Sequence, residues 1–302
     1  MSFLDTFCQM LVILFAIALG YLANKLGYFS EEGNRKLTKV VLNITMPCMI
    51  LASVMTSDNL PDMQSMLSLL KMIVLFYGVG VVFLLVFPKF LGGSDQQKGV
   101  WRYGLLFPNT AFIGYPVLQA LFGGGAVFYG VILNLPFNLL SYSLGPLMLG
   151  GKRRFNWKSL CTPALITSFI SLIIVLTRLR TPVLLGEMTA FVGDMTVPFS
   201  LLILGSVLAE MPIKQVFSMP RMWVFALIRL LLMPAALLVL LRPMGLVSMV
   251  YGVAVIEMAM PVAVNGAMLC MEYDGDTQCM AQTIFVSTML SMVTIPVVAM
   301  FL

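Results

Sequence analysis

Asn43-Ile44-Thr45-Met46-Pro47 returns, 151 residues further along the chain, as Asp194-Met195-Thr196-Val197-Pro198. Each stretch lies inside a hydrophobic segment, and each joins a polar residue, a Thr and a Pro in the same order. The offset persists downstream: Leu140-Ser141, ahead of Gly145-Pro146, reappears as Leu290-Ser291, ahead of Ile295-Pro296, at a shift of 150. Apolar sequence of low complexity aligns with itself readily, but apolarity alone does not produce a shared polar-Thr-Pro order. The chain therefore reads as one unit written twice.

Composition says where such a unit lives. With 60% hydrophobic and only 10% charged residues among 302, and a mean hydropathy of +0.99, the chain has too little polar surface for a water-soluble globule. A spanning helix needs about 20 apolar residues, and ten such segments can be marked: 5–24, 37–57, 66–87, 99–121, 126–149, 159–177, 184–208, 219–241, 246–271 and 278–302. The first lacks a basic leader and a small-residue cleavage site, so it reads as retained structure and not as a signal peptide. The five cysteines fall mostly inside or beside these segments, where Cys acts as a small apolar residue, so neither disulfides nor a metal site are expected.

Basic residues set the orientation. With the N-terminus outside, the cytoplasmic loops hold Lys25, Arg35, Lys36, Lys39, Lys89, Lys98, Arg102, Lys152, Arg153, Arg154, Lys158, Lys214 and Arg221, whereas the opposite face holds Lys71, Arg178, Arg180 and Arg242. The positive-inside rule then puts both termini outside. Glu272, Asp274 and Asp276 dissent, but acidic residues count little in that rule. Five spans per half place the halves in opposite orientation. The expected fold is an all-α integral membrane protein of ten transmembrane helices in two inverted five-helix repeats, residues 1–150 and 151–302. That architecture is typical of secondary transporters, with substrate held near the midplane where interrupted helices meet.

Interruptions stand in matched places. Span four reads Phe107-Pro108-Asn109-Thr110-Ala111-Phe112-Ile113-Gly114-Tyr115-Pro116, and span nine reads Glu257-Met258-Ala259-Met260-Pro261-Val262-Ala263-Val264-Asn265-Gly266. Each Pro removes a backbone donor and clashes with the preceding turn, and in a membrane the freed groups need protein, cavity water or ligand as partners. Two broken helices crossing there would aim half-helix N-termini into one cavity, a setting for an anion. Asn109, Thr110 and Asn265 would add neutral hydrogen bonds. The alternative is that Pro, Gly and Asn only kink helices and join them.

The pattern Asn-Thr-x-x-x-Gly-x-Pro at Asn109 to Pro116, with Leu121-Phe122-Gly123 and Asn-x-x-x-Pro at Asn43 to Pro47, resembles the auxin efflux carrier family. That family includes plant auxin carriers and bacterial permeases for malate and malonate. The resemblance covers essentially all 302 residues. It implies a scaffold part and a transport part with broken helices crossing at spans four and nine, Asn109 as a substrate-binding residue, and a multi-pass protein of the bacterial inner membrane. It is compatible with a homodimer. Span nine has Asn265-Gly266 where plant carriers place a second Pro, which argues against auxin itself as substrate.

The expected activity is secondary transport of small organic anions, mono- or dicarboxylates, by alternating access. Substrate-binding candidates are Asn109, Thr110, Gly114, Pro116, Asn134, Asn138, Pro261, Asn265, Gly266 and Asn43. Asp194 and Glu257 are expected deep in the bilayer, where an unpaired charge costs about 2.5–3.5 kcal/mol or more. With Thr196 they are candidates for coupling to a proton or a sodium ion, unless Arg229 neutralises one of them. Methionines such as Met258, Met260, Met268 and Met271 read as adaptable packing. Two other functions stay open: a sodium-coupled symporter resembling the bile-acid carriers, and a non-transporting sensor or channel. The chain has no His and no Gly-Lys-Thr phosphate loop, so enzyme and ATP-pump readings are disfavoured, as is nucleic-acid binding; membrane lipid and an organic anion are the expected partners, with no cofactor.

Overall fold

The computed structural model describes residues 3–57, 60–150, 162–210, 220–244 and 248–302, and among them every regular element is helical. In chain order these are α1 (Phe3–Lys25), α2 (Glu31–Met55), α3 (Met63–Leu91), α4 (Asp95–Leu106), α5 (Thr110–Phe122), α6 (Gly125–Leu133), α7 (Leu135–Met148), α8 (Pro163–Thr177), α9 (Val183–Glu210), α10 (Pro220–Met244), α11 (Ser248–Met258), α12 (Asn265–Glu272) and α13 (Thr277–Ala299). Among the described residues each of the ten marked segments contains helix; segments four and nine are each split in two, as α4–α5 and α11–α12, and segment five, not expected to break, is split at Asn134 as α6–α7. The basic linker 151–158 and Lys214 lie outside the described residues.

Polar turn residues start the helices. The first amides of a helix have no partner inside it, and side-chain oxygens supply one. Ser30 accepts from the Gly33 amide, Asp62 from that of Ser65, Ser94 from that of Gln97, Thr162 from that of Leu165, and Asp276 from that of Cys279. Asp276, one of the dissenting acids, thus has a structural task in capping α13.

Prolines then shape the interiors. Wide, π-type turns occur at Val41–Thr45, Thr110–Gly114 and Ile228–Leu232, and a Pro follows each by two residues: Pro47, Pro116 and Pro234. A proline ring collides with the carbonyl four residues earlier. Those carbonyls, of Asn43, Phe112 and Leu230, lie within the widened turns. Pro198 stands in the same relation to Asp194, where α9 leaves regular helix at Asp194-Met195. Both members of the matched pair that opened the sequence reading therefore mark a deformed helix.

Among the described residues five helices are long and apolar enough to cross a bilayer: α2, α3, α9, α10 and α13. The outer surface is apolar too. On α1, Val12, Phe15, Leu19 and Leu22 are exposed while Ile13 and Ile17 are buried, and α8 exposes Ile166, Phe169, Ile173 and Leu176. Such faces suit lipid as solvent and would aggregate in water.

The helices sort into two packing groups, each drawing on both halves of the chain. One comprises α1, α2, α8 and α9; the other comprises α3 to α7 and α10 to α13. In the first, α1 lies directly on the second half of α9. A Cβ on Gly20 would collide with the Leu202 carbonyl, and one on Gly205 with the Ile17 carbonyl. Small residues let backbones approach this closely, which is how helices associate where no hydrophobic drive separates lipid from protein.

Candidate functional site

The two interruptions face each other and pair. Between α4 and α5 the chain is extended at Phe107, and between α11 and α12 Pro261 forbids regular helix. The Asn109 amide donates to the Pro261 carbonyl at 2.7 Å, and the Ala263 amide donates to the Phe107 carbonyl at 3.0 Å. Backbone groups at each interruption are thus satisfied by the other half. The Val262 amide is taken by the Ser287 hydroxyl of α13 at 3.2 Å. Ser287 was invisible to sequence reasoning, because one Ser in an apolar helix has no signature.

Asn109 is buried at the start of α5. Its Oδ1 accepts from the Phe112 amide at 3.3 Å, and its backbone carbonyl accepts from the Gly114 amide at 3.1 Å. Its Nδ2 has no hydrogen-bond partner. A buried donor left unmade costs about 1–3 kcal/mol, so this amide is available to a ligand. Thr110 is buried beside it.

Asn265, expected as its counterpart, is instead occupied. Its Oδ1 accepts from the Tyr103 hydroxyl at 2.8 Å, and its Nδ2 reaches the Ser141 hydroxyl at 3.4 Å. Gly266 lies against Tyr103, with a Cβ there standing 2.6 Å from the ring. Asn134 donates to the Tyr115 hydroxyl at 3.2 Å and keeps a free Oδ1. Pro116 is buried in α5, and the Asn138 side chain lies outside the described residues.

Two expected residues are exposed. Asn43 is exposed and bonds the Lys39 carbonyl at 2.8 Å, and Asp194 is exposed at the α9 kink. Their phase is the same in both halves: Thr45 and Thr196, two residues on, are buried with unpartnered hydroxyls. The suggested Asp194–Arg229 salt bridge does not form, because Arg229 is completely buried elsewhere. Its Nη1 donates to the Met258 carbonyl at 3.1 Å, with the Met233 and Met258 sulfurs at 3.4 and 3.7 Å.

Glu257 is also completely buried, and neither carboxyl oxygen has a hydrogen-bond partner. Among the described residues the ion pairs are Lys36–Glu32 and Lys98–Asp95, both local, so Glu257 and Arg229 do not meet within 4.0 Å.

An apolar groove of about 490 Å³ lies between α1, α9 and α13, lined by residues such as Leu14, Tyr21, Phe285 and Met292. It offers almost nothing to hold an anion, so size alone does not make it the site. Of the buried polar atoms with unused capacity, Asn109 Nδ2 lies at the paired interruptions, whereas the Thr45 and Thr196 hydroxyls lie in α2 and α9.

A family model described as membrane transport protein matches residues 5–154 and again residues 146–299. An uncharacterized transporter of Methanothermobacter thermautotrophicus is 27% identical over 306 positions, covering 98% of each chain. Another, of Methanocaldococcus jannaschii, is 26% identical over 216 positions, covering 68% of this chain and 69% of its own.

Proposed function

The chain belongs to the membrane transport protein family, the family of the auxin efflux carriers that its motifs resemble, and from that premise we propose that it is a secondary active carrier of small organic anions. The coarse statement, a multi-pass membrane transporter, follows from membership and from the apolar outer faces. The finer one is carried by a single observation: a buried Asn109 amide without a partner, at the helix start beside the paired interruptions.

The anion takes the Asn109 Nδ2 and the field of the α5 N-terminus, with Thr110 adjacent. Asn265, Gly266, Pro261 and Pro116 shape and brace the place, and Asn134 and Gly114 connect it to Tyr115 and Glu257. Asn43, exposed on α2, is a contact offered from the scaffold side. Two family-model matches that together cover the chain, one per half, support the division into repeats at about residue 150. The two packing groups support a moving part, α3 to α7 with α10 to α13, working against a scaffold of α1, α2, α8 and α9 by alternating access. A plasma-membrane location, both termini outside and a homodimer complete the proposal.

Counterflow of radiolabelled malate and malonate in proteoliposomes tests it. Label uptake that rises with trapped unlabelled acid is expected. Folded protein showing no counterflow with either acid, or with a wider panel of carboxylates, would remove the carrier reading in favour of a sensor or channel.

A further inference from the structure

Glu257 has a neighbour of opposite charge and does not use it. Its carboxyl occupies space left by two glycines: a Cβ on Gly114 would stand 2.8 and 2.9 Å from its oxygens, and one on Gly130 would stand 3.1 Å from Oε1. Arg229 of α10 is the opposite charge that acts on it. Tyr77 of α3 and Tyr115 of α5 are the other titratable groups its charge reaches. The guanidinium is nevertheless held off by the carbonyl of Met258, the next residue, and its Nε and Nη2 remain without partners.

An ionised carboxylate with two bare oxygens in an apolar interior loses its solvation with nothing returned. The neutral acid avoids most of that loss. Close by, the guanidinium keeps two unused N–H groups, the fork that a carboxylate would accept. The pair therefore has two arrangements available, apart with the acid neutral, or joined with both groups charged.

We propose that Glu257 carries a proton through the transport cycle, holding it in the arrangement seen here and releasing it when Arg229 closes on the carboxylate. The O–H bond breaks, the proton passes to water admitted at the opened interruption, and the carboxylate's charge is met by the guanidinium. Coupling runs through Gly114, which is bonded to the Asn109 carbonyl and forms the wall of the carboxyl's pocket. Any rearrangement of the Thr110–Gly114 turn moves that wall. On the reading of Asn109 as the anion contact, a bound anion about one turn away adds negative charge beside Glu257 and so favours the neutral acid. Anion and proton are then loaded and unloaded together.

The test uses the full-length protein in proteoliposomes. Wild type should take up labelled malate faster when the outside is more acidic, with protons entering as reported by a trapped pH dye. E257Q, which keeps the shape of the neutral acid, should retain malate counterflow and lose both the acceleration and the proton entry. E257D, still titratable, should restore them in part. An E257Q protein that keeps its pH-gradient response overturns the proposal. A second measurement stands apart from transport: infrared spectra of wild type at neutral pH should show the carbonyl band of a protonated buried carboxyl, absent in E257Q. A wild type without that band overturns the proposal whatever the substrate. A wild type with the band but without counterflow keeps the proton site and removes the anion reading.

Discussion

The interruptions of spans four and nine look alike in sequence and are put to different uses in the structure. Both contain Pro, Asn and Gly, and each supplies one of the two backbone hydrogen bonds that join them. At the first, Asn109 keeps a bare amide. At the second, Asn265 is consumed by Tyr103 and Ser141, and the unused capacity belongs to Glu257, eight residues earlier. Matched breaks thus provide a common frame, on which one half presents a neutral donor and the other a carboxyl. A motif can therefore recur without its role recurring.

Substitutions can break that comparison, and the largest effect should come at Asn109. Asn109→Asp keeps an oxygen to cap α5 but replaces the free donor with a negative charge. Binding of a carboxylate should weaken by about tenfold to a hundredfold or more, the equivalent of a charged-group hydrogen bond of 1.5–3 kcal/mol, with the thermal midpoint little moved. Asn265→Ala should do the reverse, lowering stability by about 1–3 kcal/mol by leaving the buried Tyr103 hydroxyl without its Asn265 acceptor, and changing affinity little. Equal affinity losses at both positions, measured by equilibrium binding, would restore the symmetric site that the sequence suggested.

Next comes the join between the two interruptions. Gly114→Ala pushes a methyl group onto the Glu257 carboxyl and should cost about 1–3 kcal/mol of stability, as overpacking does. Combining it with Glu257→Ala should recover most of that loss, a coupling that a double-mutant cycle of thermal unfolding would register. Additive losses would mean that the two residues do not share the space. Ser287→Ala removes the partner of the Val262 amide and should cost about 1–3 kcal/mol, seen as a lower thermal midpoint.

The smallest effect is expected at Asp194. As an exposed residue at the α9 kink, its replacement by Asn should change stability by within about 0.5 kcal/mol. Unaltered sodium and pH dependence of transport would make it a surface residue; loss of either would return coupling to this half of the molecule.

The helices and their breaks were legible because proline, glycine and capping residues act on the backbone locally. The helical character of the marked segments and the split of spans four and nine follow from such rules. The facing of side chains was not legible. In water, polarity marks the outer side of a helix; in lipid, both sides are apolar, so nothing in the sequence told that Asn43 and Asp194 are exposed while Thr45, Thr196 and Arg229 are buried.

Sequence by itself determined a lipid-solvated bundle of helices interrupted at two matched places, because composition and proline chemistry need no distant partner. Only the tertiary structure decided that Phe107 to Asn109 pairs with Pro261 to Ala263, that Asn265 is spent and Asn109 free, and that Glu257 rests on Gly114 apart from Arg229. Those are contacts between residues more than a hundred positions apart, or on different helices, and they depend on close approaches that no local pattern encodes.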